Sequence, residues 1–112
     1  MTPDDAIRIR HMIEAAETAQ RFIAGRKRAD LDSDAMLLFA VVQAIQIVGE
    51  AASRISPETR SAAPSVPWAR IIGMRHRLIH AYADIEPEVV WRTASAEIPA
   101  LLTMLVPLLP KD

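Results

Sequence analysis

From the N-terminus onward, the apolar positions Ile9, Met12, Ile13, Ala16, Ala19 and Ile23 recur three and four residues apart, the stripe of a helix with one buried face. Thr2 as a hydroxyl cap, Pro3 at the first helical position and Asp5 at the third mark its start, and Gly25 marks its end. A short charged connection, residues 26–32, leads through Asp32 or Ser33 as cap into a long second helix that runs to about Ile55. This helix is apolar almost all round, and Gln43, Gln46, Glu50 and Ser53, at spacings of 3, 4 and 3, form its narrow polar stripe. Such a helix needs cover on several sides, as at the centre of a bundle or in a subunit interface. Residues 56–67 begin with Ser56 as a cap and contain three prolines, which predicts a short helical turn and then a loop. Trp68, directly after Pro67, opens a third helix that runs through Tyr82. The run Asp84-Ile85-Glu86-Pro87-Glu88 then caps a last helical stretch to about Leu109. Pro99 and Pro107 should break or kink that stretch, because each removes an amide donor and crowds the preceding turn.

Composition narrows the class. Of the 112 residues, 51% are hydrophobic and 24% charged, which suits one folded domain over residues 1–112 and excludes a disordered or collagen-like chain. Nineteen alanines against three glycines favour helices over sheet. The expected fold is all-α, an antiparallel bundle of four to five helices. Cysteine is absent, so no disulfide framework, thiolate zinc site or cysteine nucleophile is available. The longest unbroken apolar run, Ala35 to Val42, is eight residues, where a membrane span needs about 20. The acidic N-terminus has no basic or apolar signal region. A soluble, cytoplasmic chain with no membrane partner is expected.

Charge is unevenly spread. Between residues 54 and 82 five arginines, Arg54, Arg60, Arg70, Arg75 and Arg77, face Glu58 alone, a local charge of +4 in a chain whose net charge is -1. Arginine outnumbers lysine eleven to two, and its planar fork suits phosphate better than a lysine point charge. On a helical wheel that starts at Trp68, Ile71, Ile72, Met74, Leu78 and Ile79 share one apolar arc, and Arg75 and Tyr82 fall inside it at roughly 340° and 320°. A guanidinium in an apolar stripe needs a carboxylate partner or an anion. Glu50, on the polar stripe of the second helix, is the carboxylate expected to meet it.

The opposite side of the third helix carries Ala69, Gly73, His76 and His80, small residues followed by two imidazoles at i, i+4. The small residues permit close approach of another helix, a second subunit or a nucleic-acid backbone. Three chemistries stay open for the histidines. They could hold a metal, although no third ligand follows on that face. They could be structural, satisfied by caps or a neighbouring helix. They could be acid–base groups beside a phosphate-binding arginine, since histidine exchanges protons near neutral pH and arginine can hold developing phosphorane charge. RNA cleavage without a metal requires that last pairing.

The chain resembles the HepT-like toxins of the HEPN superfamily, small all-helical RNases encoded beside a minimal nucleotidyltransferase antitoxin. The resemblance rests on Arg-x4-His-x-Tyr, met by Arg75, His80 and Tyr82, and on the blocks around it: Ile47-Val48-Gly49-Glu50-Ala51-Ala52 upstream, Pro67-Trp68 and Gly73-Met74-Arg75 just before, Asp84-Ile85 and Val90-Trp91 after. His76 is a departure, since the residue after the motif arginine is often asparagine in this family. The resemblance implies a helical bundle whose homodimer brings two copies of the motif to a shared cleft. Two copies of His80 could then divide the roles of base for the 2'-hydroxyl and acid for the 5'-oxygen. It also implies that Tyr82 is the residue which the partner nucleotidyltransferase modifies with AMP.

The expected function is therefore a metal-independent endoribonuclease toxin of a type VII-like toxin–antitoxin pair, acting on RNA without a cofactor. Arg75 would bind the scissile phosphate, His80 would transfer protons, Glu50 would orient Arg75, and His76 and Arg77 would add contacts to RNA. The competing expectation is a non-catalytic helical subunit that presents substrate to a nucleotidyltransferase with the same basic face. Five aromatic residues offer no base-stacking platform, so substrate choice is expected to come from cleft shape.

Overall fold

A computed structural model describes residues 1–78 and 85–110. Every element among them is helical. Helix α1 (Pro3–Ile23) starts as its sequence indicates, with the Thr2 hydroxyl accepting from the Asp5 N–H at 3.1 Å and Pro3 in the first turn. Ile9, Met12, Ile13, Ala16 and Ala19 form its buried face. Gly25, at φ 74°, turns the chain in the left-handed region that glycine adopts without strain.

The entry into the second long helix differs from expectation. A one-turn helix, α2 (Asp30–Ser33), precedes α3 (Ala35–Ser53), and the cap of α3 is Asp34, whose carboxylate accepts from the Leu37 N–H at 3.1 Å. Asp32 and Ser33, the expected caps, lie inside α2, where Asp32 pairs instead with Arg28 at 3.0 Å. Asp30, Asp32, Ser33 and Asp34 are all capping residue types, and packing of Leu31 into the core decides among them.

Helix α3 joins two apolar clusters. Its C-terminal half, through Val48, Ala51 and Ala52, packs with Ile9, Met12, Ile13 and Ala16 of α1. The start of α1 thus lies beside the end of α3, so the two run antiparallel. Its N-terminal half, through Leu37, Val41, Val42 and Ile45, packs with Leu31, Met74, Leu78 and Val90. Length and composition alone would let Ala35–Ser53, and the stretch Pro87–Leu108, cross a membrane; half of the α3 window is buried inside this fold.

Helix α4 (Pro57–Ala62) is the short turn expected after Ser56. Trp68 then anchors the next element by burying its ring and donating its indole N–H to the Ala63 carbonyl at 3.0 Å. The third helix is not continuous. Helix α5 (Trp68–Ile72) and helix α6 (Met74–Leu78) are separated at Gly73, which stays in the right-handed region at φ -78° but with ψ raised to -3°, and whose carbonyl accepts from the His76 N–H three residues on. The expected run on to Tyr82 and the Asp84 cap lie outside the described residues. Helix α7 (Pro87–Arg92) leads into a π-helical turn, Thr93–Glu97, then α8 (Ile98–Leu105) and a closing 3-10 turn, Val106–Leu108. Pro99 and Pro107, expected to break or kink this stretch, interrupt its regular α-helix without ending it: a π-helical turn precedes Pro99, and the 3-10 turn contains Pro107. The turn ahead of Pro99 widens so that the Ile98 N–H reaches the Thr93 carbonyl, five residues back, which accommodates a proline that has no N–H to give.

One buried polar knot closes one end of the α1–α3 pair, where the start of α1 meets the chain leaving α3. The Asp5 carboxylate accepts from the Ser56 N–H at 3.0 Å, the Ser56 hydroxyl at 2.6 Å and the Thr59 hydroxyl at 2.6 Å. The Ser56 and Thr59 hydroxyls hold the carboxyl down to about 2 from its ordinary 3.8, against a burial effect that would raise it. Because the folded-state value is the lower one, this stabilisation is complete above pH ~4 and is lost as pH falls toward ~2. Asp5→Ala should lower unfolding stability by about 2–3 kcal/mol at pH 7 and flatten the acid limb between pH ~4 and ~2, read by denaturant melts. An acid limb unchanged from the parent would refute the assignment.

Candidate active site

The break at Gly73 shapes the site. On one side Ile71 packs into the α1–α3–α8 cluster, and on the other Met74 and Leu78 enter the cluster formed with α2 and α7. With those residues turned inward, His76 is exposed on the outside of α6. Arg75 lies on α6 between Met74 and His76. Its side chain, and residues His80 and Tyr82, lie outside what the structure describes.

Helix α3 crosses α5 directly beneath this segment. A Cβ on Gly49 would stand 3.1 Å from the Ile71 carbonyl oxygen, so the two backbones meet where α3 has no side chain. The close approach within the chain is made through Gly49; Ala69 is exposed, which leaves its small surface open to a second subunit or a nucleic-acid backbone. Beside the crossing lies a groove of about 410 Å3, walled by Gln43, Gln46, Glu50 and Ser53 of α3 and by Ile72 and His76 opposite. The polar stripe of α3 and the imidazole of His76 therefore face one space, a juxtaposition of Glu50 with His76 that periodicity did not foresee. Glu50 Oε1 accepts from Arg54 Nε at 3.2 Å and NH2 at 3.0 Å. These are its described bonds; the Glu50–Arg75 pairing involves a side chain outside the description.

Arg77 turns to the other side of α6. Its guanidinium is 3.5 Å from each carboxylate oxygen of Glu97 and 3.5 Å from the Arg70 carbonyl. Arg70 Nε donates to the same carboxylate at 2.8 Å. Burial would raise the Glu97 carboxyl, but the Arg70 hydrogen bond and the Arg77 charge outweigh it and hold the group below its ordinary value, so it is an anion at neutral pH. Sequence reading missed Arg70 and Glu97 as a pair, since 27 residues separate them. Among the described residues no cluster of three or more His, Asp or Glu side chains could hold a metal.

The groove beside a basic, histidine-bearing segment is chemistry suited to a phosphodiester, and comparison with known families decides which kind. The model of the ribonuclease HepT-like family matches residues 12–107. The chain belongs to this family, within the HEPN superfamily. A protein of Caldanaerobacter subterraneus subsp. tengcongensis, provisionally named an RNase, is 32% identical over 104 residues, 93% of each chain. One from Thermococcus cleftensis, provisionally named ribonuclease HepT, is 35% identical over 88 residues, 79% of this chain and 80% of its own. One from Methanocaldococcus jannaschii, also provisionally named an RNase, is 29% identical over 90 residues, 80% of this chain and 83% of its own. No solved structure matches significantly. Membership in the HepT-like family supports an RNase function with RNA as substrate, and the all-α architecture agrees with it.

The crossing at Gly49 can be tested without RNA. In Gly49→Ala a helix-propensity gain of about 1 kcal/mol opposes overpacking of about 1–3 kcal/mol against a backbone carbonyl that cannot rotate away. A net loss of about 1 kcal/mol is expected, and Gly49→Leu should cost several times more, both measured by thermal melts. A Leu variant as stable as the parent would show that the helices do not meet there.

Proposed function

We propose that this HepT-like chain is a metal-independent endoribonuclease toxin of a type VII-like toxin–antitoxin pair. The observation that carries the reading is that His76, next to Arg75 on α6, faces one groove with Glu50 and the rest of the polar stripe of α3. Arg75 holds the scissile phosphate through its bidentate fork, and His80 moves the proton of the 2'-hydroxyl or gives one to the 5'-oxygen. Glu50 orients Arg75 and His76 contacts the RNA. Arg77, expected to contact RNA too, turns away from the groove and shares its charge with Glu97, so it is given no RNA contact in this reading.

The proton inventory asks for two histidines at one phosphate, so the working unit in this reading is a homodimer with a shared cleft. The outer face of α3 supports it. Met36 (85% exposed), Phe39 (60%) and Ile47 (43%) lie on one side of the helix, within about 80° of one another. This apolar surface runs into the groove, which is how a subunit contact bordering an active cleft is built. Inhibition follows from the partner nucleotidyltransferase, which transfers AMP from ATP to the Tyr82 hydroxyl with release of pyrophosphate and so adds a bulky anionic phosphate ester to the motif.

Cleavage should yield 2',3'-cyclic phosphate and 5'-hydroxyl ends, persist in chelator and spare DNA. His80→Ala should lower the rate by about 100-fold or more with RNA affinity nearly kept. Arg75→Lys should behave likewise, since it keeps charge and loses the fork. Activity abolished by chelator and restored by one divalent metal would overturn the mechanism. Variants that bind RNA as the parent does, with no cleavage by any of them, would favour the substrate-presenting subunit. Incubation with ATP, magnesium and the nucleotidyltransferase should add AMP to Tyr82 and silence the enzyme, while Tyr82→Phe should escape silencing. AMP found elsewhere by mass spectrometry would refute the switch but leave the nuclease.

A further inference from the structure

We propose that Glu97 is a positioning residue for RNA cleavage: it clamps α5 to α6 across the Gly73 break and so fixes the helix that carries Arg75. The inference rests on the reading of Arg75 and His80 given above. Helices α5 and α6 have five residues each, too few to hold a helical geometry unaided. Both pack on α3, but through different clusters, Ile71 in one and Met74 and Leu78 in the other. A contact that bridges the two halves on the side away from α3 would add a second constraint on the angle between them.

Glu97 is placed to do this. Its Oε1 accepts from Arg70 Nε on α5 at 2.8 Å, while Arg77 on α6 approaches both oxygens at 3.5 Å and also reaches the Arg70 carbonyl. Its carboxylate is thus bonded to both halves. Its side chain is 23% exposed. The carboxylate is itself held, since Glu97 ends the π-helical turn that precedes Pro99 and the Thr93 hydroxyl, bonded to the Val89 carbonyl at 2.8 Å, lies 3.5 Å from Oε2. Widened turns of this kind recur at functional sites. Partly exposed ion pairs contribute little to overall stability. A small displacement of a phosphate-holding arginine, however, lowers a rate strongly. A clamp of this kind should therefore act on kcat far more than on melting.

The test compares the full-length parent with Glu97→Ala, Arg77→Ala and the double variant, with His80→Ala as the control for site-dependent cleavage. Three readouts are taken: amide hydrogen exchange of residues 75–78 without RNA, cleavage kinetics over a range of RNA concentrations, and thermal melting. Glu97→Ala should speed exchange of those amides about tenfold or more while α1 is unchanged. It should lower kcat about tenfold or more with KM within about threefold and melting within a few degrees. The double variant should be no worse than the worse single one. Unchanged exchange overturns the clamp whatever the RNA result. Faster exchange with an unchanged kcat, or a kcat loss matched by a general loss of stability, overturns the positioning role. Cleavage insensitive to His80→Ala overturns the motif reading instead, and exchange still decides the clamp.

Discussion

A Cβ placed on Gly49 would stand 3.1 Å from the Ile71 carbonyl, and the rest of the site follows from that approach. Because α3 and α5 meet backbone to backbone, the polar stripe of α3 lies alongside the basic segment that begins at Arg54. Gln43, Gln46, Glu50 and Ser53 become one wall of a groove and His76 part of the other. Any larger residue at position 49 would separate the walls and move α5 away from the core in which Ile71 is buried. Contacts with α1, α5, α6 and α7 account for the buried apolar faces of α3, while Met36, Phe39 and Ile47 stay exposed, and its residual polarity lines the groove.

Stability and site are divided between the two ends of this arrangement. The Asp5–Ser56–Thr59 knot closes the α1–α3 end, where buried hydrogen bonds to a carboxylate add to a continuous apolar cluster. The motif end is built from short helices with a break, two clusters that grip different halves, and the Arg70–Glu97–Arg77 group on the outside. A segment held in this way can be aligned by a few polar contacts that contribute little to folding. That is a reasonable arrangement for a site that must keep charges close together, since repulsion among arginines there is offset locally by Glu97 and Glu50.

Much of the helical framework was legible from spacing alone, because burial of one stripe repeats every three or four residues whatever the partner is. The buried face of α1, the caps at Thr2 and Ser56 and the polar stripe of α3 are cases of this local rule. Features that depend on a distant partner were not legible. Gly49 reads as a weak helix former until Ile71 is beside it. Asp5 reads as a first-turn acid until residues 56 and 59 arrive 51 and 54 positions later. Glu97 has no local signal at all, and the π-helical turn that presents it reconciles Pro99 with continued packing of Ala94, Ile98 and Leu101. Asp34, not Asp32 or Ser33, caps α3 because four neighbouring residues satisfy the same local rule and tertiary packing chooses one.

The central claim is that RNA lies along the groove between α3 and α6. Backbone amide shifts recorded while a cleavage-resistant RNA, 2'-O-methylated throughout, is titrated into the protein would test it most directly. The account predicts concentrated changes at Gln43, Gln46, Glu50 and His76, with the outer face of α1 around His11 and Glu14 unaffected. Changes centred on that α1 face, with the groove silent, would contradict it.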